Sequence, residues 1–151
     1  MSQTVLITGA SNGIGKACAR VFARKGYDLV LVARHREKLE AVKAELSEYD
    51  VNIKVVAMDL TGEDAAVDLY NNLVLDDISI DILVNNAGFG DHGAFHDSSW
   101  EKQKKMVLLN IMALMQMTYV FGQSMKLRKK GRILNVASIA GLCAGPYMST
   151  Y

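Results

Sequence analysis

Two groups of residues in this 151-residue chain have the types and spacing to do chemistry. Near the start, Thr8-Gly9-Ala10-Ser11-Asn12-Gly13-Ile14-Gly15 follows an apolar run and opens a helical pattern. A diphosphate reaches the N–H groups of a helix N-terminus only where no Cβ stands in the way. Gly9, Ser11, Asn12, Gly13, Ile14 and Gly15 are therefore candidate cofactor-binding residues. The spacing is TGxxxGxG, which differs from the GxGxxG dinucleotide fingerprint. Near the end, Ser138 and Tyr151 stand at the spacing of a Ser/Tyr catalytic pair. A free phenol has a pKa of about 10, so proton transfer by Tyr151 at neutral pH needs a cation close by.

A third position tests which dinucleotide would bind. The second apolar run ends in Ala33-Arg34-His35-Arg36. A ribose 2′-OH calls for a carboxylate there, whereas a 2′-phosphate calls for an arginine. No carboxylate is present and Arg34 is placed for a bidentate contact, so NADP, as NADPH, is expected ahead of NAD.

These residues need elements to position them. Short β-branched runs at 4–8, 29–33, 54–58, 82–84 and 132–136 alternate with helical patterns at 13–25, 37–49, 63–75 and 99–129. The runs are nearly continuous in apolar residues, as strands covered on both faces must be. Alternation of this kind predicts an α/β fold with right-handed crossovers and a parallel sheet, in one domain over residues 1–151. The last helix is unusual. Ser98 and Glu101 predict a capping box, and residues 106–121 are apolar nearly all round, broken by Asn110, Gln116 and Thr118. Its length and charged flanks argue against a bilayer span, so it should be buried on every side, by a later helix or by a second subunit.

Charge excludes other classes. With 17 basic and 16 acidic residues the net charge is +1, too little for a field that recruits nucleic acid or an anionic membrane. The basic run at 126–132 ends a helical pattern and reads as a solvated terminus. Cys18 and Cys143 lie far apart without metal-ligand spacing, so no disulfide framework and no zinc site is expected. No signal-like segment precedes the first strand, and a cytoplasmic location is the expectation.

With residues 8–15, Asn85-Asn86-Ala87-Gly88 and the Ser138/Tyr151 pair in view, the sequence resembles the short-chain dehydrogenase/reductase family over its whole length. The resemblance implies an NAD(P)-dependent oxidoreductase on a Rossmann doubly wound parallel sheet, truncated here after the fifth strand. Asp59 and Leu60 would flank the adenine, and Asn86, Ala87 and Gly88 would line the cofactor. The implied catalytic residues are Asn110, which would hold a water in a proton relay, Ser138, which would hydrogen-bond the substrate oxygen, and Tyr151, the general acid/base. Residues 89–93 would border the pocket, while His92 and His96 read as loop and surface residues.

The family pattern YxxxK would place a lysine four residues after Tyr151, past the last residue of this chain. Two functions therefore stay open. One is an NADP-dependent oxidoreductase transferring hydride between nicotinamide and a small-molecule carbonyl or secondary alcohol. The other is a truncated, catalytically silent nucleotide-binding or interaction module, and without the lysine the chain alone is expected to lack turnover. A homo-oligomer through the helix at 99–129 is expected, because the family's neighbouring helix would follow residue 151.

Overall fold

The computed structural model describes residues 2–143, 145–148 and 150, so the expectation resting on Tyr151 lies outside the described residues. Five strands, β1 (Thr4–Thr8), β2 (Asp28–Ala33), β3 (Ile53–Ala57), β4 (Ile82–Asn85) and β5 (Arg132–Asn135), form one sheet in the order β3-β2-β1-β4-β5. Every pairing is parallel. The helices are α1 (Gly13–Arg24), α2 (Arg36–Glu45), α3 (Ala65–Leu75), α4 (Trp100–Val107) and α5 (Leu114–Leu127).

Strand alternation and register together sort the apolar side chains into two layers. Val5 and Ile7 lie opposite Leu29 and Leu31 on one side and Ile82 and Val84 on the other. All six share one core cluster with Ala19 and Ala23 of α1 and Leu39 and Val42 of α2. Leu6 pairs with Val30 and Leu83, and these face the opposite cluster, where Leu69 and Leu73 of α3 meet Met117, Phe121 and Met125 of α5. Tyr70 and Phe121 pack edge to face with ring centroids 5.5 Å apart. Full burial of one such side chain contributes roughly 1.5–3 kcal/mol. A one-residue slip of any strand would exchange these layers, which is why the register holds.

Strand order reverses between β1 and β4. The chain runs outward from β1 through β2 to β3, then returns to lay β4 and β5 on the other flank of β1. In open parallel sheets a crevice forms at that switch point, outside the carboxyl ends of the strands.

The long helix departs from expectation in three ways. Its N-cap is Ser99, whose Oγ accepts from the Lys102 N–H at 3.3 Å, while Ser98 donates to Asp91 instead. Between α4 and α5 the backbone widens into a π-helical turn at Leu108–Ala113, with Asn110 inside it. Burial is also one-sided: Met106, Ala113, Met117, Phe121 and Met125 face the core, whereas Met112, Met115 and Tyr119 are 53–68% exposed. The run Trp100–Leu127 is long and apolar enough to cross a membrane by length and composition, contrary to the expectation from sequence, yet its inner face packs on the sheet.

Each polar interruption of this helix has a partner. Gln116 donates to the Glu63 carbonyl and accepts from the Ala66 N–H, tying α5 to the start of α3. Thr118 accepts from the Asn85 amide at 3.0 Å. β5 lies at the sheet edge with all four residues exposed.

Candidate active site

The turn after β1 explains its own glycines. Gly9 and Gly13 hold φ of +65° and +51°, a region that a Cβ disfavours. A Cβ on Gly15 would stand 2.3 Å from the Gly9 carbonyl oxygen and 2.5 Å from Asn86 Nδ2, so the first turn of α1 is pressed against the loop that precedes it. Gly13 is different, because a Cβ there would meet nothing within 4 Å. That side of the turn is open. The N-cap Asn12 makes no side-chain cap and no acidic residue occupies the first turn, so the N–H groups and the positive dipole end face outward.

Below the turn, Thr8 joins β1 to β4. Its buried hydroxyl donates to the Val84 carbonyl at 3.3 Å and accepts from the N–H groups of Asn86 and Ala87, each at 2.9 Å. Asn86 answers by donating its amide to the Thr8 carbonyl at 2.9 Å and the Gly9 carbonyl at 3.2 Å. Asn85, one residue earlier, points the other way and donates to Thr118 and to Asn135 of β5. Consecutive asparagines therefore pin the glycine-rich turn and the sheet edge to the same strand end.

Asn110 sits where the π-helical turn presents it to the loop after β4. Its Oδ1 accepts from the Phe89 N–H at 3.1 Å and its Nδ2 donates to the Phe89 carbonyl at 2.9 Å. A Cβ on Gly88 would stand 3.1 Å from that Oδ1, so this loop passes close to the helix. The side chain is a strut for Phe89. Ser138 follows β5 half-buried, and its Oγ accepts from the Ala140 N–H at 3.2 Å while capping a short 3-10 turn at Ile139–Gly141. No acceptor for its hydroxyl occurs among the described residues.

These pieces border one cleft of about 730 Å³. Gly9, Asn12 and Ile14 line it at the turn, Asn86, Ala87 and Gly88 along β4's end, Asn110 on the helix, and Ser138 beside Leu142 on the far wall. Val107, Ile111 and Leu114 complete a mainly apolar lining. A wider opening of about 920 Å³ at the other end of the strands carries none of the expected residues. No cluster of metal-ligating side chains occurs among the described residues.

Against known proteins, residues 3–151 match the family model for short chain dehydrogenases. The chain belongs to that family. Among curated short chain dehydrogenases it is 36% identical over 154 residues to a very-long-chain 3-oxoacyl-CoA reductase of Phaeosphaeria nodorum, covering 97% of this chain and 44% of that protein. It superposes with a TM-score of 0.91 on the short-chain dehydrogenase from Sphingobium yanoikuyae in complex with NADPH, at 37% identity, over 99% of this chain and 59% of that one. The bulky-bulky ketone specific alcohol dehydrogenase of Comamonas testosteroni gives a TM-score of 0.91 at 36% identity, over 99% and 60%. This chain thus spans about half the length of the curated relatives it matches.

In this member of the family the residues that follow β2 and β3 are arranged unevenly. Arg34 follows β2 directly and is exposed. Arg36 is paired with Glu40 at 3.7 Å, whereas no ion pair engages Arg34 among the described residues. Asp59 accepts from the Thr61 N–H at 3.0 Å and its hydroxyl at 2.9 Å. The Thr61 N–H foremost, with the hydroxyl and the Arg34 charge adding to it against a burial penalty, holds the Asp59 carboxyl below its ordinary value. Leu60 is buried in the core cluster with Leu69 and Leu73. The open turn at Gly13, the uncapped helix start and the cleft beyond them fit a dinucleotide. Sequence reasoning found most of these residues but missed the part Thr8 plays. Its signal was a threonine directly before the first glycine.

Proposed function

We propose that this chain carries the cofactor site and part of the substrate site of an NADP-dependent reductase acting on apolar carbonyl compounds. The carrying observation is the continuous cleft that runs from the open turn at Asn12 and Ile14, past Gly88 and Asn110, to Ser138. Arg34, without an ion pair among the described residues and without a neighbouring carboxylate in its turn, supports NADP over NAD. The nicotinamide of a bound dinucleotide would supply the hydride.

Ser138 donates its hydroxyl to the carbonyl oxygen, where negative charge grows as the carbon is reduced. Tyr151 passes the proton to that oxygen at the end of the step. Asn110 fixes Phe89 and with it the loop that borders the substrate. Ile14, Val107, Ile111 and Leu142 favour a substrate with apolar substituents. The names of the relatives, a very-long-chain 3-oxoacyl-CoA reductase and a bulky-bulky ketone specific dehydrogenase, agree with that preference.

Titrating NADPH and NADH into the chain, and then assaying NADPH consumption with bulky ketones and 3-oxoacyl thioesters, tests the reading. NADPH should bind more tightly than NADH, and in a form that carries the lysine of the YxxxK pattern turnover should favour bulky carbonyls. Binding without turnover would leave the nucleotide-binding module as the function. No binding would refute both. The exposed face formed by Met112, Met115, Tyr119 and the β5 edge supports a partner, for which we propose a second copy of the chain. Light scattering should then show a dimer at micromolar concentration, and a monomer throughout would refute it.

A further inference from the structure

Ser138 reaches the cleft from the end of an edge strand. β4 and β5 run in register as far as Asn85 opposite Asn135, and the Val136 N–H then donates to the Asn85 carbonyl at 2.9 Å. From there the chain leaves the sheet, and Ser138 follows in an extended conformation, with φ of −124° and ψ of 149°. The direction in which it leaves is set at the pair Asn85 and Asn135. Among the described residues β5 has β4 as its one sheet neighbour, and all four of its residues are exposed. Strand ends with solvent-exposed ladder bonds open readily, so this end needs a further tie if Ser138 is to keep its place.

Side chains supply that tie at the same rung. Asn85 Nδ2 donates to Asn135 Oδ1 at 2.9 Å and to Thr118 Oγ1 at 3.0 Å, so one amide joins β4 to the end of β5 and to α5. Asn85 is 4% exposed, yet its Oδ1 has no hydrogen-bond partner among the described residues. A buried acceptor left without a partner costs at least as much as one made hydrogen bond contributes, so the amide as a whole adds little to stability. What it does fix is geometry, because both of its donors go to groups that locate the end of β5 relative to the helix.

We propose that Asn85 and Asn135 are positioning residues for the reduction proposed above, their side-chain bond fixing the exit of β5 and, through it, the place of the Ser138 hydroxyl. The inference rests on that reading for the role of Ser138. Neither asparagine is among the residues that line the cleft, whereas Ser138 is, so both act through it. A donor that serves the growing charge on a carbonyl oxygen is effective only at hydrogen-bond distance from that oxygen, which makes the rate sensitive to small displacements of Ser138.

The test has two arms, because the tie and the reductase activity can fail separately. Amide hydrogen exchange on the full chain reads the tie without need of turnover. One hydrogen bond of this kind accounts for about fivefold in an opening equilibrium. Asn85→Leu and Asn135→Ala should each speed exchange at Val136 by about that factor with Leu83 unchanged, and the double variant should add little, since both remove the same bond. Asn135→Asp keeps the accepting oxygen and should exchange as the parent does. Asn85→Leu also removes the orphaned acceptor, so its Tm should stay within about 3 °C of the parent. Unchanged exchange at Val136 in both single variants overturns the tie. The activity arm uses a form that carries the lysine of the YxxxK pattern. There Asn85→Leu and Asn135→Ala should lower kcat about 10-fold, short of the 100-fold or more expected for loss of a whole donor, with KM and NADPH affinity within about twofold and Asn135→Asp at the parent rate. Faster exchange with an unaltered kcat overturns the positioning role. If the parent form binds NADPH but reduces no carbonyl, the reductase reading falls and the positioning role with it, while the exchange result still decides the tie.

Discussion

Replacing Thr8 by valine removes one oxygen atom and keeps the shape of the side chain. That oxygen accepts two N–H groups, of Asn86 and Ala87, and donates to the Val84 carbonyl. In the variant both N–H groups lose their acceptor, and each orphaned donor costs about 1–3 kcal/mol. Asn86 and Ala87 are half-buried, so solvent relieves part of that penalty, and the sum comes to about 2–4 kcal/mol. For a chain of this size that is a fall in Tm of about 5–15 °C. Thr8→Ser is the matched control, since it keeps the hydroxyl and gives up one buried methyl, at about 1 kcal/mol. Urea melts of the two variants against the parent provide the measurement. The reasoning fails if Thr8→Val unfolds within about 0.5 kcal/mol of the parent, or if Thr8→Ser proves the less stable of the two.

Three other perturbations are specific. Gly15→Ala has no room, because the new methyl would meet the Gly9 carbonyl at 2.3 Å, so it should lower both Tm and NADPH affinity; Gly13→Ala has room and should cost only about 1–2 kcal/mol of left-handed strain, while weakening NADPH where the turn is open. Arg34→Ser should weaken NADPH about 10-fold or more and leave NADH within about twofold, as paired fluorescence titrations would show. At Asp81, burial pushes the carboxyl up, but the Thr4 N–H, Lys130 and Arg128 outweigh it and hold the group below its ordinary value. A depressed carboxyl stabilises the fold above its unfolded pKa, so this contribution should fade as pH falls from about 5 to below 4. Asp81→Asn should therefore be less stable than the parent at pH 7, and the gap should close in acid melts.

The sheet was legible because its cause is local. β1 and β2 are runs of apolar residues bounded by turn signals, and the expected strands fall within a residue or so of the observed ones. The glycine-rich turn was legible because its spacing is a local pattern, although Gly9 and Gly15 are packed against Asn86 and Ala87 from the far side of the sheet order. Two features were not. The π-helical turn at Leu108–Ala113 has no periodic signature, because residues 106–121 are apolar at nearly every position and the widening is set by Asn110 reaching Phe89. The cap fell to Ser99 and not Ser98 because Asp91, seven residues upstream, takes the Ser98 hydroxyl. Both depend on pairings between a loop and a helix that no local pattern records.

That difference in origin separates the two ends of the cleft physically as well. At the glycine-rich turn, Thr8 and Asn86 are held by several hydrogen bonds between strand ends and Gly15 is packed closely against them, so a change at any one disturbs its neighbours and registers as stability. At the Ser138 end, the contacts that join the walls among the described residues are one backbone bond, from the Gly93 N–H to the Tyr147 carbonyl, and one ring pair, His92 with Tyr147, between surface segments. Disturbance there leaves the sheet intact and alters which ligands fit. Substitutions near Thr8 should accordingly move Tm and NADPH affinity together, whereas substitutions near Tyr147 should move substrate preference at constant Tm. A variant at Tyr147 that lowered Tm as far as Thr8→Val would contradict that division.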